Sequence, residues 1–280
     1  MTELGFAAEQ VRLYDHDRYL TAIFAPSGTR DHAFALYAFN VEIAKTREVV
    51  TERLIGQIRL QWWRDALDKL YAGETIAHEV ARPLGDAIRV AGLERRLFDQ
   101  LIDAREADLE DGPPPTLAAL EAYAEATAAP LIELAIGLSG TRTSPATEAA
   151  ARAVGAAWAL TGLMRAVPFH ARQHRLFLPA DRLGATGIRT GRLFDLKPDP
   201  ALAEVVGDVG ERALARLEEA RGLISAVPRA GRWPLLLGVL ARLYLADLRG
   251  AGWNPFEPRL ARGRPLAIWH LATQRLLRRY

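Results

Sequence analysis

Residues 145–167 read PATEAAARAVGAAWALTGLMRAV. Apolar side chains recur there at helical spacing, and no stretch alternates strictly between apolar and polar, so a helix is expected. Pro168 then interrupts the run, because its ring lacks an N–H and crowds the preceding turn. The same period extends outward from this stretch. Helices are expected at 8–24, 30–49, 52–72, 84–91, 94–110, 116–139, 145–167, 200–226, 231–249 and 257–279. Pro26-Ser27-Gly28 ends the first, and Thr29 or Asp31 can cap the second. Pro113-Pro114-Pro115 stops another, and Thr116 caps its successor. Pro198 and Pro200 bracket the connection after Leu193, and residues 168–199 are the least regular, suited to a lid or rim. Short connections and the absence of a repeat point to one all-α domain over 1–280.

The chain has 280 residues, half of them hydrophobic and a quarter charged, which excludes disorder and a multi-span membrane protein. There is no cysteine, so disulfides, thiolate metal sites and a Cys nucleophile are excluded. The formal charge of +2 conceals an asymmetry: residues 1–148 carry 15 basic and 24 acidic side chains, residues 149–280 carry 21 and 10. Only Lys45, Lys69 and Lys197 are lysines; the remaining cations are arginines, which make planar two-point contacts to carboxylate or phosphate. Either the two halves pair internally, the slightly favoured reading, or the basic half presents an anion- or membrane-facing surface. The start lacks a basic region followed by an apolar run, so no signal peptide is expected. Trp233 to Leu248 is apolar but interrupted by Arg242 and Asp247, too short and too polar to span a bilayer. The expected location is cytoplasmic, or peripheral at the inner membrane.

Several residue groups invite a chemical reading. His170 and His174 are four apart, but two imidazoles without a third ligand make a poor zinc site, and a loop or rim is preferred. In Gln61-Trp62-Trp63-Arg64, adjacent positions are about 100° apart, so one Trp can enter the core while the other covers a groove or interface. Asp99, Asp103, Glu106, Asp108, Glu110 and Asp111 crowd one stretch, best read as a solvated helix face. No nucleic-acid motif accompanies the arginines, so nucleic acid is not an expected partner.

Longer strings carry a resemblance. Ala35-Leu36-Tyr37-Ala38-Phe39, Leu60-Gln61-Trp62-Trp63-Arg64, Leu67-x-x-Leu70-Tyr71-Ala72-Gly73, and Arg165 with Arg175-Leu176-Phe177-Leu178-Pro179 resemble the squalene/phytoene synthase family. The likeness keeps its order along nearly the whole chain. It implies an all-α isoprenoid (terpenoid) synthase fold around a central apolar cavity. Enzymes of that family ionise a prenyl diphosphate, with Mg²⁺ held by two carboxylate clusters on facing helices.

This chain departs from that pattern. Where the resemblance places Asp-Asp-x-x-Asp, it has Ala44-Lys45-Thr46-Arg47-Glu48. The second cluster's aspartates fall on Ala166 and His170, and its asparagine on Gly162. Glu48 and Lys45 cancel, so five positions that should total −5 total zero with His170 neutral. A site holding one carboxylate, an ammonium and nearby Arg47 repels Mg²⁺. No catalytic residue and no metal ligand are therefore expected, and no cofactor unless the magnesium chemistry survives.

Tyr37, Lys45, Arg47, Arg165, Arg172 and Arg175 remain as candidate ligand-binding residues. Either they hold an anionic headgroup without metal while a prenyl or lipid-like tail fills the cavity, or they pair with neighbouring acids as structural links. Asn40-Val41-Glu42-Ile43, Asp103-Ala104-Arg105-Glu106 and Leu163 to His170 sharpen the likeness to the degenerate branch, which includes an assembly factor of mitochondrial respiratory complex I. By resemblance the implied role is a non-catalytic factor that helps build NADH:ubiquinone oxidoreductase, with a complex I subunit or assembly partner. The Arg-rich segment from Arg249 to Tyr280, with Trp253, Phe256 and Trp269, is the expected peripheral membrane contact, or else those aromatics are core. The alternative is an active Mg-dependent head-to-head prenyltransferase condensing two prenyl diphosphates.

Overall fold

A computed structural model describes residues 5–50, 52–197, 199–261, 264 and 266–276, and the described residues form helices joined by short connections. The α-helices, in chain order, are α1 (Phe6–Tyr14), α2 (His16–Ala22), α3 (Arg30–Ala44), α4 (Thr46–Val49) and α5 (Arg53–Tyr71). They continue with α6 (Ala81–Ala91), α7 (Arg95–Glu106), α8 (Leu117–Gly137), α9 (Pro145–Arg165) and α10 (Val167–Arg172). The last are α11 (Ala180–Thr186), α12 (Thr190–Phe194), α13 (Pro200–Leu223), α14 (Leu237–Gly250) and α15 (Ala267–Leu276).

The long helices lie where the period places them, and the differences have local causes. The expected helix 8–24 divides at Asp15, whose backbone leaves the helical region and whose carboxylate accepts the Arg18 N–H at 3.2 Å, capping α2. The helix 30–49 breaks at Lys45, beside Thr46, whose hydroxyl bonds back to the Glu42 carbonyl at 3.5 Å. Pro168 does end the central run: α9 stops at Arg165 and a separate short helix follows. Residues 168–199, expected to be the least regular stretch, hold most of α10 and the short helices α11 and α12. The expected helix 257–279 is a 3₁₀ turn at Pro258–Ala261 followed by α15. Residues 1–4, Pro198, Arg262, Arg278 and Arg279 lie outside the described residues.

Helix α9 is the axis of the packing, lying against α8, α13 and α14. Gly155 makes the first of these contacts possible: a Cβ there would sit 2.8 Å from the Ala129 backbone nitrogen on α8. On the N-terminal side, Phe39 meets Trp63 edge to face at 5.0 Å and Phe98 at 5.4 Å, fixing α3 against α5 and α7. Trp63 is 1% exposed and Trp62 40%, so the adjacent pair divides between core and surface as its 100° offset requires.

The acidic and basic halves pair across the fold. Glu121 on α8 accepts from Arg212 at 2.7 Å and from Arg216 at 2.5 Å, both on α13. Burial pushes this carboxyl up, but the two guanidiniums hold it below the usual range. Arg216 also reaches Glu125 at 3.5 Å.

Gly155→Ala is expected to lower stability by about 1–3 kcal/mol despite alanine's better helix propensity, because the obstacle is backbone that cannot rotate away. Thermal and urea unfolding check this, with Gly222→Ala as comparison, since a Cβ at Gly222 meets nothing within 4 Å.

Candidate functional site

The positions singled out by the sequence come from α3, α4 and the junction between them, the end of α9, α10 and the turn after it. Tyr37 on α3 is 1% exposed. Its hydroxyl is buried without a hydrogen-bond partner, while the neighbouring Thr21 hydroxyl donates to the Arg18 carbonyl at 3.0 Å. Burial raises the Tyr37 phenol well above its ordinary range. Gly162 on α9 is half-buried, yet a Cβ there would meet nothing within 4 Å, so this face of α9 borders open space.

Arg165, in the last turn of α9, lies over the Tyr244 ring at 3.5 Å and 3.8 Å from the Asp17 carboxylate. Tyr244 in turn donates to Asp17 at 2.7 Å. Burial raises the Asp17 carboxyl above its ordinary value, against the lowering effects of Tyr244 and Arg165. Beside this group, buried Arg18 pairs with Asp15 at 2.5 Å and stands 5.9 Å from both the Tyr37 and the Trp158 rings. An aromatic and ionic cluster from α2, α3, α9 and α14 thus lines the interior.

The other candidate cations go elsewhere. Lys45 places its ammonium over the Tyr14 ring, and burial lowers its pKa against the raising effects of Glu48 and Glu42. Arg47 reaches Asp111 at 3.5 Å. Arg175 donates to the Asp108 carbonyl at 2.9 Å and lies 4.9 Å over Phe177, and Arg172 is exposed. Lys45, Arg47, Arg165 and Arg175 are therefore held in separate local contacts, while Tyr37 is buried and Arg172 exposed.

Asp108 corrects the reading of the acidic stretch. Asp99, Asp103, Glu106, Glu110 and Asp111 do form pairs at the surface, with Arg95, Arg64, Arg53 and Arg47. Asp108 is buried, accepting from Tyr123 at 2.5 Å and pairing with Arg105 at 3.2 Å. The 3₁₀ turn Ala107–Leu109 rotates it off the solvated face of α7. The interior residues Asp15, Asp17, Arg18, Trp158 and Tyr244 were missed because Tyr244 and Asp17 meet across 227 positions of sequence. Only the carboxylate-to-arginine spacing of Asp15 and Arg18 was a usable local signal.

Ala44 and Ala166 present methyl groups and Gly162 none, Glu48 is exposed, and Lys45 is a cation. The His170 ring lies 4.7 Å from that of Phe177, tilted by 50°; burial, then Arg175, lowers its pKa from 6.5 to about 4. Its partner in the i, i+4 spacing, His174, turns away at a positive φ of 54° and meets Phe194 at 5.0 Å. Among the described residues no group of three or more His, Asp or Glu is placed to hold a metal ion. Mg²⁺ requires several oxygen ligands in octahedral array, and the residues at these positions do not fit it.

The profile described as squalene/phytoene synthase matches residues 11–268. The chain belongs to the squalene/phytoene synthase family. Two solved members share the all-α isoprenoid synthase fold. A squalene synthase from Alicyclobacillus acidocaldarius has a TM-score of 0.77 at 22% identity, covering 89% of this chain and 94% of that one. A ligand-bound dehydrosqualene synthase has a TM-score of 0.83 at 18% identity, covering 98% and 96%. Within the family, the chain is 31% identical over 275 residues to NADH dehydrogenase (ubiquinone) complex I, assembly factor 6 from Bos taurus, covering 98% of this chain and 82% of that protein. It is 25% identical over 264 residues to a presqualene diphosphate synthase from Sinorhizobium fredii, covering 94% and 91%.

The His170 environment has a pH consequence. The folded pKa lies below the unfolded one, so the unfolded chain binds the extra proton between pH 6.5 and about 4. Stability is therefore full above pH 6.5 and falls as the pH drops through that window. The His170 imidazole signals should stay constant in NMR from pH 8 to about 5, and His170→Phe should flatten the urea-midpoint profile over the same window.

Proposed function

We propose that this chain is a metal-free, non-catalytic member of its family that assists assembly of NADH:ubiquinone oxidoreductase at a membrane surface. The observation that carries the reading is the chemistry at the positions where the family places its metal ligands. Ala44, Lys45, Ala166 and His170 stand where the family places carboxylates and Gly162 where it places an asparagine, and the carboxylate that is kept, Glu48, is exposed. No cofactor enters this reading. The assembly role is supported by the bovine relative and by a human relative of the same name, 28% identical over 269 residues.

The reading includes a prenyl or lipid-like ligand held in the interior of the fold. Gly162 borders open space, and the Tyr37 hydroxyl is buried beside Thr21. The candidates for an anionic headgroup are Lys45, Arg47, Arg165, Arg172 and Arg175, of which Arg165 stands at the interior cluster beside Asp17 and Tyr244. The partner is a subunit or assembly intermediate of complex I; nucleic acid has no part. No helix among the described residues is long and apolar enough to cross a membrane, so contact with one would be peripheral.

Similarity to the S. fredii synthase along most of the chain favours a second reading, an active prenyltransferase with unorthodox ligands. Its discriminating residue is Glu48, the remaining carboxylate of the first motif.

In cells lacking this chain, NADH:ubiquinone oxidoreductase activity of membranes should fall several-fold while succinate oxidation is unchanged, and Glu48→Gln should restore it as well as the wild type. The purified protein should convert no labelled farnesyl diphosphate with Mg²⁺. Turnover that Glu48→Gln abolishes would select the second reading instead.

A further inference from the structure

Three runs of sequence carry no acidic residue: those between Asp17 and Asp31, between Glu133 and Glu148, and between Glu219 and Asp247. The fold joins them around the C-terminal end of α8. The Thr29 hydroxyl, just before α3, donates to the Leu138 carbonyl at 3.5 Å. The Trp233 indole N–H donates to the Ser139 hydroxyl at 3.0 Å. Gly231 lies so close to Thr141 that a Cβ there would stand 2.8 Å from the threonine hydroxyl oxygen. The basic residues of the runs are carried to the same place. Arg30 follows Thr29, Arg142 follows Thr141, and Arg229 and Arg232 lie on either side of Gly231, at the start of its 3₁₀ turn and just after it.

The arginines of these runs divide by partner. Arg18 pairs with Asp15, and Arg221 and Arg242 both pair with Glu218. Among the described residues, no carboxylate lies within ion-pair distance of Arg30, Arg142, Arg229 or Arg232. Arg30, Arg142 and Arg229 are exposed. Arg232 is half-buried and donates to the Val227 carbonyl at 2.6 Å and the Ser225 carbonyl at 2.9 Å. Carbonyls hold its guanidinium in place without cancelling the charge, and burial, then the like charge of Arg229, lowers its pKa. Of the adjoining acids, Glu94 accepts from Thr143 at 3.4 Å and pairs with Arg96 at 3.2 Å, and Asp31 lines a groove with Glu79 and Arg82. Like charges gathered without acids oppose the compact state, so this end of the molecule holds a positive potential that negative charge on a partner relieves.

We propose that Arg30, Arg142, Arg229 and Arg232 form a docking surface for an acidic segment of a partner protein. The guanidinium fork matches a carboxylate at two points, and the exposed Thr143 and Ser225 add hydroxyl donors beside it. Two other anionic partners suit the surface less well. None of the exposed large apolar side chains belongs to these three runs, so nothing there would enter a bilayer once the headgroups were reached. For the same reason no exposed aromatic ring is present on which the bases of a nucleic acid could stack. The proposal gives the recognition chemistry of the protein partner in the function above, and rests on that reading only for the partner's being a protein.

Fluorescence anisotropy of a fluorescein-labelled octaglutamate peptide, titrated with the full chain at low and high salt, tests it. The wild type should bind the peptide, more weakly as salt rises. Arg142→Glu/Arg229→Glu should weaken binding about tenfold or more with unchanged circular dichroism. Arg89→Glu/Arg189→Glu makes the same change of charge at exposed arginines elsewhere, and should alter binding by less than about twofold. Four results would overturn the proposal. The peptide fails to bind; both variants lose affinity equally, which makes the attraction a property of net charge; phosphatidylglycerol vesicles or a thymidine oligonucleotide bind more tightly than the peptide and are released by Arg142→Glu/Arg229→Glu, which assigns the surface to lipid or nucleic acid; or light scattering shows a wild-type dimer that this variant makes monomeric, which assigns it to a second copy. The assembly reading stands or falls separately, on complementation by Glu48→Gln.

Discussion

A guanidinium buried between helices has to be neutralised from within the fold, because leaving it unpaired in a low-dielectric interior costs several kcal/mol. Arg18 meets this requirement through Asp15, and Arg165, one-third exposed, lies over Tyr244 and beside Asp17. These links join α2 to α9 and α14, the helices that line the interior. The same region in a magnesium-dependent enzyme is neutralised by metal and substrate together. Here the polypeptide supplies both signs of charge itself, so the interior is balanced with no ion present. A divalent cation entering it would meet guanidinium groups already paired, with few free oxygens to replace its water.

The apolar framework is independent of this exchange. Phe39, Trp63 and Phe98 close one core, and the approach of α8 to α9 at Gly155 sets the other. None of these residues belongs to the metal-motif positions. The packing therefore does not depend on which residues occupy the metal-motif positions. That separation is the physical reason a synthase fold can persist in a chain whose reactive positions hold Ala44, Lys45, Ala166 and His170.

The helices were legible because burial of one face imposes the 3.6-residue period, and the stop at Pro168 because a missing N–H ends a hydrogen-bond ladder whatever surrounds it. The break at Asp15 was not, since a single aspartate caps a helix only when the chain beyond it turns to pack. The replaced metal positions were visible through the order of motifs on either side. What replaced them was not: Tyr244 and Asp17 are brought together by the packing of α14 on α2, and nothing near either residue signals the other. Asp108 looked like its acidic neighbours, and only the 3₁₀ turn at the end of α7 sends it inward to Tyr123 and Arg105.

Trp62 and Trp63 show how far a local argument can go. Their 100° offset requires that they face different surroundings, and the buried one is the one aligned with Leu60 and Leu67. The offset leaves undecided what the outer ring touches. The fold supplies that: the Trp62 ring lies 4.9 Å from the His78 ring and, still 40% exposed, ends the row of exposed aliphatic side chains at the start of α5. An isolated surface tryptophan gains little from any partner. One that extends a ridge of leucine and isoleucine adds its area to theirs, and apolar burial scales with the area removed from water.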